Sequence, residues 1–266
     1  MRNHLLAGLV IFSSVAQAAP TCDFQKWEKY QGTKLLREKQ NGPYIFSTSQ
    51  VKVDADGAPN AYHPEDVGLD CKKGTGFKGL DCPANGGYPK KSWWRSAIVP
   101  DPQNNKKGYV QPDGAFKGYF ISQTSLKDNS KSNLDTKKYV DSTQVPYLVF
   151  PGEFNTMNGT GLMGDFGYAI NIDNGKSSPF IVAEVGPPKA HLGEMSISLG
   201  SALGGSNPNP RTGSGTPEGK IVYVIFPYSK NFPAWPLSQE EIQSKVTSLL
   251  STIGGEETLR FCADAL

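Results

Sequence analysis

The chain has 266 residues, with 27 Lys and Arg against 25 Asp and Glu, a formal charge of +2. No block of like charge is present, which argues against a nucleic-acid tail or an acidic disordered protein. With 29 Gly, 20 Pro and 37% hydrophobic residues, a helical bundle or coiled coil is excluded and a loop-rich, mainly β protein is indicated.

The first residues read as an export signal. Arg2 gives a positive start, an apolar stretch comes next, and Ala16-Gln17-Ala18 supplies a small-x-small cleavage site. Residues 1–18 are therefore expected to be a signal peptide, and residues 19–266 a single exported domain. No later apolar run reaches the ~18 residues of a membrane helix. The four cysteines, Cys22, Cys71, Cys82 and Cys262, fit an oxidising compartment. Three pairings are open. Loop closure favours Cys71–Cys82, across a short Gly-rich loop, and Cys22–Cys262, tying the chain ends. No CxxC accompanies them, so a zinc site is not indicated.

Residues 22–42 are charged and have room for a short helix. Residues 44–53 alternate enough for a strand. Residues 54–118, dense in Gly, Pro, Asn and Lys, are too long for an idle loop and read as an irregular layer stapled by a disulfide. Strands are predicted at 118–126, 144–150, 163–172, 179–185 and 220–227, short and rich in aromatic and β-branched residues. Asp173-Asn174-Gly175-Lys176 predicts a hairpin turn between the third and fourth of these. A helix is predicted over 194–203. Another is predicted over 238–253, where Ser238 and Glu241 form a capping box and Ile242, Val246, Leu249 and Ile253 share one face.

Two histidines remain after cleavage, His63 and His191. Neither accompanies a G-x-S-x-G sequence, so a Ser-His-Asp triad is disfavoured. Carboxylates are better candidates. Glu184 ends an otherwise apolar strand, and Glu194 comes ten residues later at the predicted helix start. Glycoside hydrolysis needs such a pair, one protonated and one ionised. A helix N-terminus would favour ionised Glu194, and partial burial would hold Glu184 protonated. Asp165, in an aromatic strand, is a third candidate. Asp54 and Asp56 form a compact acidic turn, which is also readable as a plain Asx-turn. Trp93, Trp94 and Trp235 are candidate sugar platforms, and of the adjacent Trp93 and Trp94 one can be core and the other exposed.

Several segments in order resemble the family 75 chitosanase-type glycoside hydrolases. They are Asp54-Ala55-Asp56-Gly57-Ala58-Pro59-Asn60-Ala61-Tyr62-His63-Pro64, Gly68-Leu69-Asp70, Gly118-Tyr119-Phe120-Ile121-Ser122-Gln123-Thr124-Ser125-Leu126 and Tyr139-Val140-Asp141-Ser142. Pro146-Tyr147, Gly164-Asp165-Phe166, Val185-Gly186-Pro187, Gly193-Glu194 and Val224-Ile225-Phe226-Pro227 complete the match, over roughly residues 50–255. The resemblance implies inverting hydrolysis of chitosan, a β-1,4-linked glucosamine polymer, by an Asp in a turn and the Glu of a Gly-Glu motif. That Glu maps onto Glu194. The Asp position holds Glu184, one methylene longer.

The expectation is thus a secreted endo-chitosanase. Its fold would be a mainly antiparallel β-barrel or curved sheet with two flanking helices and long irregular loops. Glu194 would serve as base and Glu184 as acid, or the reverse, with Asp165 as fallback. Inversion would set the carboxyls roughly 6.5–9.5 Å apart. Asp54, Asp56, Tyr119, Gln123, Asp141 and Trp94 are the expected substrate contacts. Chitosan or a related amino-sugar polysaccharide is the expected partner, with no cofactor, metal, nucleic acid or membrane, and a monomer is expected. The alternatives are a non-catalytic wall-polysaccharide binder on the same scaffold and an enzyme for another wall glycan.

Overall fold

The computed structural model describes residues 21–68, 71 and 76–266. The expected signal peptide, and Leu69 and Asp70 of the resemblance, lie outside those residues. The described chain is mainly β. Eleven strands run β1 (Gln25–Tyr30), β2 (Thr33–Arg37), β3 (Tyr44–Thr48), β4 (Lys52–Asp54), β5 (Pro100–Asp101), β6 (Asn104–Gly108), β7 (Tyr147–Pro151), β8 (Phe166–Asn171), β9 (Ser177–Gly186), β10 (Glu194–Ser196) and β11 (Ile221–Phe226). Four α-helices are α1 (Gly152–Thr156), α2 (Ile197–Ala202), α3 (Gln239–Ser251) and α4 (Gly255–Cys262).

Nine strands form one sheet in the order β1-β2-β3-β11-β8-β9-β7-β10-β4, and β5 pairs with β6 in a small second sheet. The large sheet is mixed, because β7 pairs with β9 and β10 with β4 in parallel. Its end strands β1 and β4 do not pair with each other, so of the two expected forms, barrel and sheet, the sheet is the one present. The two flanking helices expected become four.

Both faces of the sheet are covered, which explains the nearly continuous apolar strands. Along β11, Val222, Val224 and Phe226 enter one core, while Ile221, Tyr223 and Ile225 enter the other. Helix α3 covers the first core with Ile242, Val246 and Leu250, and Ile253 just beyond its end joins them. Its start is the predicted capping box, with the Ser238 hydroxyl accepting the Glu241 N–H and the Glu241 carboxylate accepting the Ser238 N–H. The turn after β8 leads directly into antiparallel β9, as Asn174-Gly175 predicted.

Two predicted elements are absent. Residues 25–37 form a β-hairpin and not a helix. Gln31 and Gly32 both take positive φ, 44° and 88°, as a two-residue hairpin loop requires. Residues 118–126 form no strand. Their backbone bonds go to scattered partners: the Phe120 N–H to Tyr62, Gln123 to Ala97 and Leu126 to Ala183.

The described part of residues 54–118 forms the irregular layer, with a core around Tyr62, Trp94 and Ile98 that Phe120 completes. Cys71–Cys82 staples it, and Cys22–Cys262 joins the segment before β1 to the end of α4. Arg211 locks the layer down. It is fully buried against Asp66 and donates to the carbonyls of Gly79 and Asp81 at 2.9 and 3.0 Å. No described helix is long and apolar enough to cross a membrane.

Candidate active site

Where β4, β10, β7 and β9 lie side by side under the irregular layer, a cleft of about 640 Å³ opens. Asp54, Asp56, Asp81, Glu184 and Glu194 line it, with Tyr62 and Trp93, and no Lys or Arg is among its described lining residues.

Glu184 reaches the cleft through a bulge. Leu148 of β7 faces Val182 of β9, but the next residue, Val149, faces Glu184, so Ala183 is the extra residue. An inserted residue breaks the in-out alternation of a strand and re-aims the side chains beyond it. The Glu184 carboxylate accepts the Ser125 N–H, the Ser125 hydroxyl and the Val185 N–H, each at 2.7 Å. Burial nevertheless dominates and pushes its pKa up to about 7, with the Glu194 charge adding to the rise.

Glu194 does not open a helix. It begins β10, whose Met195 is buried in the second core and pairs with Leu148. Helix α2 starts at Ile197, and the N-cap is Ser196, whose hydroxyl accepts the Leu199 N–H at 3.0 Å. The expected helix-dipole effect on Glu194 is therefore withdrawn. Burial raises its pKa, and Lys52, its register partner on β4, pulls the other way. Two neighbouring glycines make its position possible. Gly193 has φ +117°, and a Cβ there would lie 2.6 Å from the Gln50 carbonyl oxygen. At Gly186 a Cβ would lie 3.1 Å from Glu194 Oε2 and 3.0 Å from Val149 Cγ1.

Asp54 lies two residues beyond Lys52 on β4, hence on the same side of the strand as the position facing Glu194. The Tyr147 hydroxyl donates to Asp54 Oδ2 at 3.0 Å, and the Asp56 N–H donates to Oδ1 at 3.0 Å, the Asx-turn read from sequence. The Tyr62 hydroxyl donates to Asp56 Oδ1 at 2.8 Å. Burial raises both Asp pKa values well above the ordinary range. The charges of Glu194 and Glu184 add to the rise at Asp54, and those of Asp54 and Glu184 at Asp56.

Asp81 escaped the sequence reading. It lies in the irregular layer, accepts from the Cys82 N–H and Asn85 Nδ2 at 2.6 and 2.7 Å, and has its pKa raised by burial. Its neighbour Cys82 was the only local signal.

The other candidates separate from the cleft. Asp165 is fully buried just before β8 and accepts the N–H groups of Leu162, Tyr228 and Lys230 at 2.6, 2.8 and 3.1 Å. It is a backbone clamp. Trp94 is core, 1% exposed, while Trp93 is 48% exposed and lines the cleft. Tyr119, Gln123 and Asp141 do not line it. Tyr119 donates to the Lys78 carbonyl, Gln123 to that of Arg95, and Asp141 caps Thr143. His63 Nδ1 accepts the Glu65 N–H, and His191 Nδ1 lies 3.2 Å from the Gln31 carbonyl, both loop roles. Among the described residues, no three His, Cys, Asp or Glu converge closely enough to hold a metal ion.

The arrangement can bind and discharge cations, and it can hold and release protons near neutral pH. Comparison with models of protein families and with curated proteins finds no match to this sequence.

Proposed function

We propose that the protein is an exported glycoside hydrolase of chitosanase type, cleaving between the sugar units of a cationic amino-sugar polysaccharide. The observation that carries the reading is five carboxylates converging on one cleft with no Lys or Arg among its described lining residues. A low-dielectric cleft of one sign concentrates ligands of the other. Protonated glucosamine units are such ligands, and the exposed Trp93 face suits the apolar side of a pyranose. The two disulfides fit an oxidising compartment outside the cytosol.

Glu184 is the general acid. Its pKa near 7 leaves it protonated in mildly acidic solution, where the substrate amines are also charged. It gives its proton to the glycosidic oxygen as that bond breaks. Glu194, whose ionised form the neighbouring Lys52 favours, takes the proton from the attacking water. Asp54, Asp56 and Asp81 offset the substrate's positive charge.

A second reading has an observation of its own. Both oxygens of Glu184 already accept from Ser125 and Val185, which suits a structural carboxylate in a non-catalytic polysaccharide binder. One experiment separates the two. Soluble chitosan, chitin and peptidoglycan are each tested for retention of the protein and for new reducing ends. Chitosanase activity requires release of ends from chitosan and a fall of at least ~10³-fold in Glu194→Gln. Retention without release supports the binder. Undiminished release by Glu194→Gln removes the assigned site.

A further inference from the structure

The bulge that aims Glu184 also sets a partner against it. Ala183 is the extra residue of β9, and its carbonyl accepts the Leu126 N–H at 2.9 Å. Ser125, the residue before Leu126, is thereby brought onto Glu184, the residue after Ala183. The other flank of Ser125 is pinned as well. The Thr124 hydroxyl accepts the Val140 N–H at 3.0 Å and donates to the Leu126 carbonyl at 2.6 Å. The backbone at Ser125 is therefore held by its neighbours and does not depend on its own side chain.

Three donors then meet the four lone pairs of the Glu184 carboxylate. The Val185 N–H and the Ser125 hydroxyl both go to Oε1, and the Ser125 N–H goes to Oε2. Oε1 is filled, and Oε2 keeps one lone pair for the acidic proton. Three donors thus do not close Glu184 off as a structural group. The two N–H donors are fixed by the backbone, whereas the hydroxyl can turn as the group passes from acid to carboxylate.

We infer that Ser125 is the positioning residue of the general acid: its hydroxyl occupies Oε1, leaves the proton on Oε2 for the departing glycosidic oxygen, and holds the carboxylate that remains. The inference rests on the glycoside-hydrolase reading above. The other groups around Glu184 cannot take the place of this hydroxyl. Glu194 on β10, Asp54 on β4, and Asp56 and Asp81 of the irregular layer bring only further carboxylates to the cleft. Tyr147 on β7 donates to Asp54 and to the Asp56 carbonyl, and Lys52 on β4 acts on Glu194. Without the hydroxyl, burial and like charge hold the Glu184 proton more tightly.

The test compares Ser125→Ala and Ser125→Thr with the wild type, on soluble chitosan and without substrate. A general acid works protonated, so activity falls as pH rises through its pKa. In Ser125→Ala the alkaline limb of kcat/KM should move up by roughly one pH unit, the weight of a hydrogen bond to a charged group. The plateau of kcat should fall roughly tenfold, because the acid is weaker. Ser125→Thr keeps the hydroxyl and should restore both. Without substrate, the Glu184 carboxyl carbon, assigned by its loss in Glu184→Gln, should titrate about one unit higher in Ser125→Ala by carbon NMR. A merely structural serine would lower activity and leave the limb and the carbon titration in place. That result, or a limb that Ser125→Thr does not restore, overturns the positioning role and leaves the hydrolase reading standing. Absence of cleavage by the wild type overturns the hydrolase reading and the acid role with it.

Discussion

Replacing Glu184 by Gln tests the electrostatics of the cleft through stability, independently of any substrate. Burial carries the Glu184 pKa from its ordinary 4.5 to about 7. Between those values the unfolded chain has released this proton and the folded chain still holds it, so folding takes up a proton. Stability therefore falls as pH rises across that window. The contribution is fully present below pH 4.5 and gone above about pH 7. At ~1.4 kcal/mol per pH unit, the loss is roughly 3 kcal/mol. Glu184 is only 4% exposed, so solvent screening takes little from this figure. Glu184→Gln removes the titrating group. The variant still carries Asp54, Asp56 and Glu194, also raised, so it too loses stability with pH. Its loss is smaller for a second reason, because the Glu184 charge is one cause of the rise at Asp54 and Asp56. Urea unfolding of both proteins at about pH 4.5, 6 and 7.5 should show the wild type losing about 3 kcal/mol more than the variant. Parallel losses, within about 0.5 kcal/mol, would refute a Glu184 carboxyl held protonated by its surroundings.

Three further outcomes rest on named contacts. Asp165→Ala removes the shared acceptor of three partly buried N–H groups and should cost about 1–3 kcal/mol in urea unfolding. Replacing Cys22 and Cys262 by Ser opens a loop with a sequence separation of 240, and Cys71 with Cys82 one of 11. Chain entropy gives about 5 and about 3 kcal/mol, so the first pair should lower the urea midpoint further. Gly186→Ala places a methyl 3.1 Å from Glu194 Oε2. It should lower kcat on chitosan by roughly tenfold to a hundredfold, and crowding of buried Val149 at 3.0 Å should cost about 1–2 kcal/mol in urea unfolding.

The strands that the sequence revealed are those covered on both faces, where burial leaves an unbroken apolar run: 147–151, 166–171, 177–186 and 221–226. The hairpin at 25–37 was hidden because its outer face is Lys- and Glu-rich, and no apolar run marks it. Residues 118–126 misled for the opposite reason. They alternate as a strand does, yet their partners are separate loops and an edge of β9. Glu194 was read onto a helix because a strand of three residues leaves no periodic signal. That strand exists through its pairing with both β4 and β7.

Glu184 and Asp165 gave one sequence signal, an acid among apolar strand residues, and met opposite ends. Asp165 has three backbone N–H groups around its carboxylate and lies away from the cleft. Glu184 comes after a bulge that only the register of β7 against β9 reveals, and it faces other carboxylates. The parallel pairings matter here. With the antiparallel pairing of β7 and β10 they bring residue 54 and the nearby residues 184 and 194, from two distant parts of the chain, onto four adjacent strands. The result is poor for stability, since like charges buried together raise one another's pKa values and oppose folding as they ionise. The surrounding hydroxyls of Tyr62, Tyr147 and Ser125 relieve the cost without adding positive charge. Such a concentration of acid, cushioned mainly by hydroxyls, fits the proposed cationic substrate, which would bring the cations itself. An empty structural core would be better served by apolar residues at the same positions.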